Sequence, residues 1–191
     1  LTGNGNEILT NVIIKNNSAS SGQAGGVFIA IRSSAILTNV LINNNSDGGL
    51  LVHSGATPTL TNITIASNSN DQSFGGLGLS GGSKATLKNS IIWGNIPNSI
   101  DSYICDGCGG IDTISVSYSN VEGGQGSVVV GSSNDQIIWL TGNIDSDPKF
   151  VKVITTGEEE SDYHLSDWSP AIGAGTATGA PTNDIENNPR P

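Results

Sequence analysis

The chain has no methionine, only two cysteines, 5% aromatic residues and 13% charged residues in 191 positions. Charge is about half of the roughly 25% usual in soluble domains. Seven Lys and Arg face 17 Asp and Glu, and they form no basic stripe, so neither nucleic acid nor an anionic membrane surface is an expected partner. No apolar run approaches the roughly 20 residues of a membrane-spanning helix. As zinc ligands, Cys105 and Cys108 would need two further partners, and the only histidines are His53 and His164. A C-x-x-C redox motif would belong at a helix start, and no helical pattern is present. A local disulfide stapling the "CDGC" loop is the expectation, fitting an oxidising, extracellular setting. The hydrophobic share, 35%, is too high for a disordered chain.

Glycine, asparagine and short β-branched clusters are abundant, and they are ordered. "ILTNVIIKNN" at 8–17 returns as "ILTNVLINNN" at 36–45, "TLTNITIASN" at 59–68 and "TLKNSIIWGN" at 86–95. Asn11, Asn39, Asn62 and Asn89 hold one place in these units. Asn17, Asn45, Asn68 and Asn95 hold another, six residues later. Ile14, Ile42, Ile65 and Ile92 open an I-x-x-N tetrad in each copy. Gly-Gly pairs at 25–26, 48–49 and 75–76 lie 13 residues before the next unit's first asparagine, measured from the second glycine. Only "SASSGQA", "SD" and "SNDQSF" between tetrad and Gly-Gly change length. Two arms are fixed and one corner is free, as in a solenoid whose turns need their neighbours to bury an apolar face.

The fold expected is therefore all-β: a right-handed parallel β-helix with three short strands per rung, such as Val27–Ile31, Ala35–Leu37 and Val40–Ile42. Residues 1–95 are the regular rungs, 96–176 less regular rungs and a cap, and 177–191 a polar tail or linker. Stacked rungs put Leu9, Leu37, Leu60 and Leu87 in one inward column. The two asparagine columns read as amide ladders at corners, because Asn tolerates corner geometry and its amide both donates and accepts. The chain opens on Leu1 inside the repeat, so it reads as a piece of a longer protein.

The repeats resemble those of bacterial polymorphic outer-membrane proteins, which carry Gly-Gly-aliphatic and F-x-x-N motifs; here Ile takes the Phe place. "NSIIWGN" (89–95), "VSYSNVEGG" (116–124), "GNIDSDPKFV" (142–151), "DYHLSDWSPAIGAGT" (162–176) and "DIENNPRP" (184–191) are similar to the "choice-of-anchor" β-helix domains of secreted bacterial proteins. The resemblance implies an extracellular or cell-surface protein of a class without assigned catalytic residues.

Chemistry-bearing residues are sparse. In the expected columns Arg32 stacks with Gly55 and Gly82, and His53 with Ala30 and Ser80. No carboxylate falls in the strands of the first four rungs, so neither a lyase base nor a glycosidase carboxyl pair is in place. Asp145 and Asp147 are spaced to contribute to a Ca²⁺ site or, more simply, to cap a turn. Otherwise no cofactor is expected. Trp139 and Trp168 read as core or cap; Trp93, next to an inward Ile92, is the candidate for stacking on a sugar ring. Thr10, Thr38 and Thr61 stack but Lys88 interrupts them, which weakens an ice-binding reading. The sequence thus points to a non-catalytic stalk or adhesion module that contacts polysaccharide or a cell-surface glycan, most plausibly at its variable corners. The rivals are a fragment of a polysaccharide lyase or glycoside hydrolase, an ice-binding solenoid, and a subunit that self-associates head to tail.

Overall fold

The computed structural model describes residues 1–19, 23–71, 73–102, 108–154 and 160–190. Apolar β-branched triplets separated by left-handed residues make short strands that cannot pair locally, so each pairs with its repeat mate one turn away. One five-stranded parallel sheet stacks Val27–Ile29, Leu50–Val52, Leu77–Leu79, Ile100–Ser102 and Val129–Val130. The other starts at Ile8–Lys15, passes through Ile36–Asn43 and Thr59–Ala66, and ends at Gln136–Trp139. Every pairing in these two sheets is parallel, and the registers match the repeat alignment: Leu9 with Leu37, Leu37 with Leu60, Leu60 with Leu87. The result is a parallel β-solenoid of about five turns. Its inward columns, among them Leu37, Leu60 and Leu87 and Ile42, Ile65 and Ile92, are fully buried in one continuous core.

The expected three-strand cross-section is present with one adjustment. Ala35–Leu37 and Val40–Ile42 are two arms of a single eight-residue strand, Ile36–Asn43, bent at Asn39, where φ is 53°. Asn11, Asn62 and Asn89 turn their strands at 57°, 55° and 52°. Asn takes this left-handed conformation at less cost than other L-residues, which is why one residue suffices for the corner. The first strand also ends earlier than expected. Ile31 and Arg32 already sit at φ 57° and 60°, above Ser54 and Gly55 and then Gly81 and Gly82, all left-handed.

The second asparagine column works differently. The turning residue is the one before it (Asn16, Asn44, Ser67, Gly94), and the ladder asparagine points inward. Asn45 and Asn68 are 1% exposed. Backbone N and Nδ2 of Asn17 both donate to Asn45 Oδ1, at 3.0 and 3.1 Å. Asn45 donates likewise to Asn68 Oδ1, and Asn68 to Asn95 Oδ1, all at 2.9–3.0 Å. Each Nδ2 also reaches a carbonyl of the preceding turn: Ile14 from Asn45, Ile42 from Asn68, Ile65 from Asn95. This accounts for the Gly-Gly pairs. A Cβ on Gly49 would lie 2.8 Å from both Asn68 Nδ2 and Ile65 Cγ2, so ladder and glycine occur together.

In the last turns the pattern changes. The column of Val12, Val40 and Ile63 continues as Ser90 and Ser119, whose hydroxyls accept from Ile63 N–H and Ser90 N–H. These serines are buried and their own protons go to Lys88 and Ser117 carbonyls. Trp139 packs, half-buried, against the end of the core, as expected. Trp168 does not: it is 85% exposed, in a polar stretch where Asp167 and Pro170 are exposed as well. Phe74, from the "SNDQSF" corner, folds onto the outer face of the short-strand sheet. There it is buried with Ala24 and Leu51, and Phe28 packs alongside.

Replacing Asn68 with Ala removes one acceptor of two bonds and one donor of two. It strands the Asn45 donors and the Ile42 carbonyl inside the wall. At about 1–3 kcal/mol per stranded buried group, the expected loss is about 3 kcal/mol or more in urea unfolding. Asn17→Ala, at the exposed end of the ladder, is expected to cost under about 1 kcal/mol; equal losses for the two would refute the ladder's role.

Candidate functional site

The first asparagine column faces outward, and the C-terminal segment lies along it. Asn89 pairs with Thr176 in both directions, Nδ2 to Thr176 O at 2.8 Å and Thr176 N–H to Oδ1 at 2.9 Å. Lys88 Nζ donates to Thr178 O. Asn39 Nδ2 donates to Asn183 O and its Oδ1 accepts from Arg190 Nη2. Asn11 Nδ2 reaches Asn187 Oδ1. Residues 177–190, expected as a polar tail, thus run back as a strap from the fourth turn to the first. Ahead of the strap, Phe150–Lys152 and Asp162–Leu165 form an antiparallel pair, with Tyr163 on Asn44 and Glu160 on Lys15. The Thr10, Thr38, Thr61 column is observed, and it ends at the strap-bound Lys88.

The amide ladder of this column is correspondingly incomplete. Asn39 donates to Asn11 at 2.9 Å and Asn62 to Asn39 at 3.3 Å, but Asn89 is turned to the strap. Where the strap leaves Asn62 uncovered, a cleft of about 630 Å³ opens. Its lining includes Asn62, Thr64, Asn89 and Tyr118 of the solenoid and Tyr163, Ala171–Ala177, Pro181 and Arg190 of the C-terminal segment. Tyr118 occupies the next place in the asparagine column at φ 48°, an unusual conformation for a bulky residue. It is accommodated because Gly142 lies flat against its ring: a Cβ there would come within 2.3 Å of Tyr118 Cδ1. The lining contains one formal charge, Arg190, and no Asp, Glu or His. What it offers is hydrogen bonding, two aromatic rings and a guanidinium.

The other sequence candidates lie elsewhere. Asp145 accepts from Gly123 N–H at 2.9 Å and Asp147 from Lys149 N–H at 2.8 Å; each occupies itself with a backbone amide, the turn-capping role. No three His, Cys, Asp or Glu gather into a metal-holding group among the described residues. Trp93 is half-buried beside Ala66 and outside the cleft lining. Cys108 is disulfide-bonded; Cys105 lies outside the described residues. Arg32 and His53 stay in the columns expected for them, with His53 Nδ1 2.7 Å from Ser80 Oγ and its ring stacked on Phe28. Burial holds the His53 pKa below its ordinary value.

A family model described as a right-handed beta helix region matches residues 1–164. The chain belongs to the right-handed β-helix family. No curated protein and no solved structure matches it. The strap and the cleft are the features of this β-helix that sequence reading missed. The available signal was the tail's Asn and Arg residues opposite a column of amides.

The strap is latched near its end by His164, whose Nδ1 lies 2.5 Å from Asp162 Oδ1 and Nε2 3.2 Å from Glu186 Oε1. With a carboxylate at each nitrogen the ring suits the imidazolium form. Its pKa is raised, chiefly by the Asp162 hydrogen bond. That of Asp162 is lowered by the His164 backbone and side-chain bonds. A raised His pKa gives stabilisation that is complete below the unfolded value and lost as pH rises through the folded one. A lowered Asp pKa gives stabilisation present above the unfolded value and lost as pH falls through the folded one. The latch is therefore strongest between about pH 4 and 6.5. Amide exchange of residues 182–190, corrected for intrinsic rate, should be slowest there and faster at pH 8, and His164→Gln should flatten the profile. A profile already flat in the unaltered chain would refute the latch.

Proposed function

We propose that this β-helix is a non-catalytic module of a secreted or cell-surface bacterial protein, of the surface-displayed kind its repeats resemble: a stiff stalk whose lateral face contacts glycan. The observation that carries this reading is the cleft beneath the strap, where a rigid wall presents neutral amides, hydroxyls and aromatic rings to solvent. Sugars are recognised by such groups, through shared hydrogen bonds and ring stacking. The buried amide ladder supports the stalk role, since each turn is fixed to the next by side-chain as well as backbone bonds. Recognition is placed on this face rather than at the variable corners, because the "SNDQSF" corner commits Phe74 to packing. Calcium is not required by this reading: to bind at Asp145 or Asp147 it would have to displace backbone donors already in place.

The test is incubation of the purified chain with a panel of acidic and neutral polysaccharides, with and without Ca²⁺, scoring retention by pull-down and product length by chromatography. Retention with unchanged chain length is expected. Shortened products that persist through repurification would make the chain a lyase or hydrolase fragment instead, and absence of retention would leave the stalk without a ligand.

A further inference from the structure

A second ladder stands at another corner of the solenoid, and it is built of carboxyls. Thr57 N–H donates to Ser33 O, Lys84 N–H to Ala56 O, Thr113 N–H to Ser83 O and Gln136 N–H to Asp112 O. These bonds set Ser33, Ala56, Ser83, Asp112 and Asp135 one above another, turn by turn. The first three are fully buried and Asp112 is 5% exposed, so small neutral residues give way to two acids where the sheets end. Ser83 N–H donates to Asp112 Oδ1 at 2.7 Å and Asp112 N–H to Asp135 Oδ1 at 3.0 Å. That repeats the backbone half of the asparagine ladder, in which Asn45 N–H reaches Asn68 Oδ1 at 3.0 Å. The other half is a side-chain donor on the same oxygen, Asn45 Nδ2 at 2.9 Å. An ionised aspartate has no such donor.

The two carboxyls are not equivalent. Asp135 takes Asp112 N–H on Oδ1, and on Oδ2 both Ser132 N–H at 3.0 Å and the Ser102 hydroxyl. Asp112 is served by backbone N–H groups, so a proton shared by the pair belongs on Asp112. They stand one turn apart, roughly 4.8 Å, where like charges inside a wall disfavour ionisation of both. Among the described residues Asp135 is the charge that bears on Asp112. Lys84, one residue beyond Ser83, is exposed. Asp101, beside Ser102, stands in the column of Gly78, on the face where Phe74 packs.

From this arrangement we infer that Asp112 and Asp135 share one proton, held on Asp112 and donated to Asp135, which fastens the last turn of the β-helix in mild acid and releases it at neutral pH. Burial raises the Asp112 pKa and the Asp135 charge raises it further, against the lowering effect of Ser83 N–H. An acid whose folded pKa is raised gives stabilisation that is complete below its unfolded value, about 3.9, and lost as pH rises through the folded one. What opens is the turn that ends both sheets, Val129–Val130 and Gln136–Trp139, whose Ile137 and Trp139 pair with Ile114 and Val116 of the core. This is separate from the His164 latch, which acts on residues 182–190.

The experiment is hydrogen exchange of the whole chain at about pH 4.5 and about pH 7, corrected for intrinsic rate, with protection at residues 129–140 divided by that at Leu37 and Leu60. The ratio should fall about fivefold or more between the two, as for the loss of one hydrogen bond. Asp112→Asn supplies the missing donor at every pH, so its ratio at neutral pH should match the acid value of the unaltered chain. Asp112→Ala removes the charge without supplying a donor, and its ratio should stay low at both. In His164→Gln the dependence at 129–140 should persist. A carbon-13 titration of the Asp112 carboxyl needs no variant, and its midpoint should lie above the ordinary value of about 3.9. A midpoint at or below that value would overturn the proposal. So would a ratio independent of pH, equal neutral ratios in Asp112→Ala and Asp112→Asn, or a dependence that disappears in His164→Gln.

Discussion

The inward asparagine ladder is the constraint on which the rest depends. A parallel β-helix must turn its chain inside the wall, and backbone groups freed there cannot reach water. Asn68 shows the solution: one amide accepts from the backbone and side chain of Asn45, and donates to Asn95 and to Ile42 O. Because each amide serves two turns, every repeat must offer the same group at the same height. Gly26, Gly49 and Gly76 are kept bare by the same packing. Repetition in the sequence is thus a consequence of hydrogen-bond satisfaction and of core packing together. The ladder ends where the repeat ends, at Asn95, and beyond it Ser90, Ser119 and Asn143 take over the bonding along a different column.

The outward column uses the same residue for a different purpose. Asn11, Asn39, Asn62 and Asn89 are placed by a left-handed corner, which leaves their amides on the surface. There they bond to one another or to whatever lies alongside. The strap takes three of them and passes over the fourth, so a segment that clamps the solenoid also forms the wall of its cleft. The strap contacts and the cleft share one surface, with Asn62 between them.

Architecture was readable in the sequence because its causes are local and periodic. Aliphatic residues at fixed places give the columns, I-x-x-N gives the ladder, and Gly-Gly marks where a side chain would collide. The alignment of the repeats alone supplies the observed register of Leu9, Leu37, Leu60 and Leu87. The site was not readable, because its causes are long-range. Thr176 meets Asn89 across 87 residues and Arg190 meets Asn39 across 151, and nothing periodic in the tail announces those partners. Trp168 was unreadable for a related reason: a core or cap place was expected for it, yet it lies in the open, while Trp93 is half-buried beside Ala66. Tyr118, by contrast, takes the place of an asparagine in the column, and that substitution is visible once the repeat is extended to the fifth turn.

The account is tested most directly by native-state hydrogen exchange at the side-chain and backbone amides of Asn45 and Asn68 across a range of low denaturant concentrations. If the ladder fastens the turns to one another, these protons exchange only through global unfolding, with the same free energy and denaturant dependence as the core amides of Leu37 and Leu60. Exchange through local opening, independent of denaturant and faster than those core amides, would contradict it.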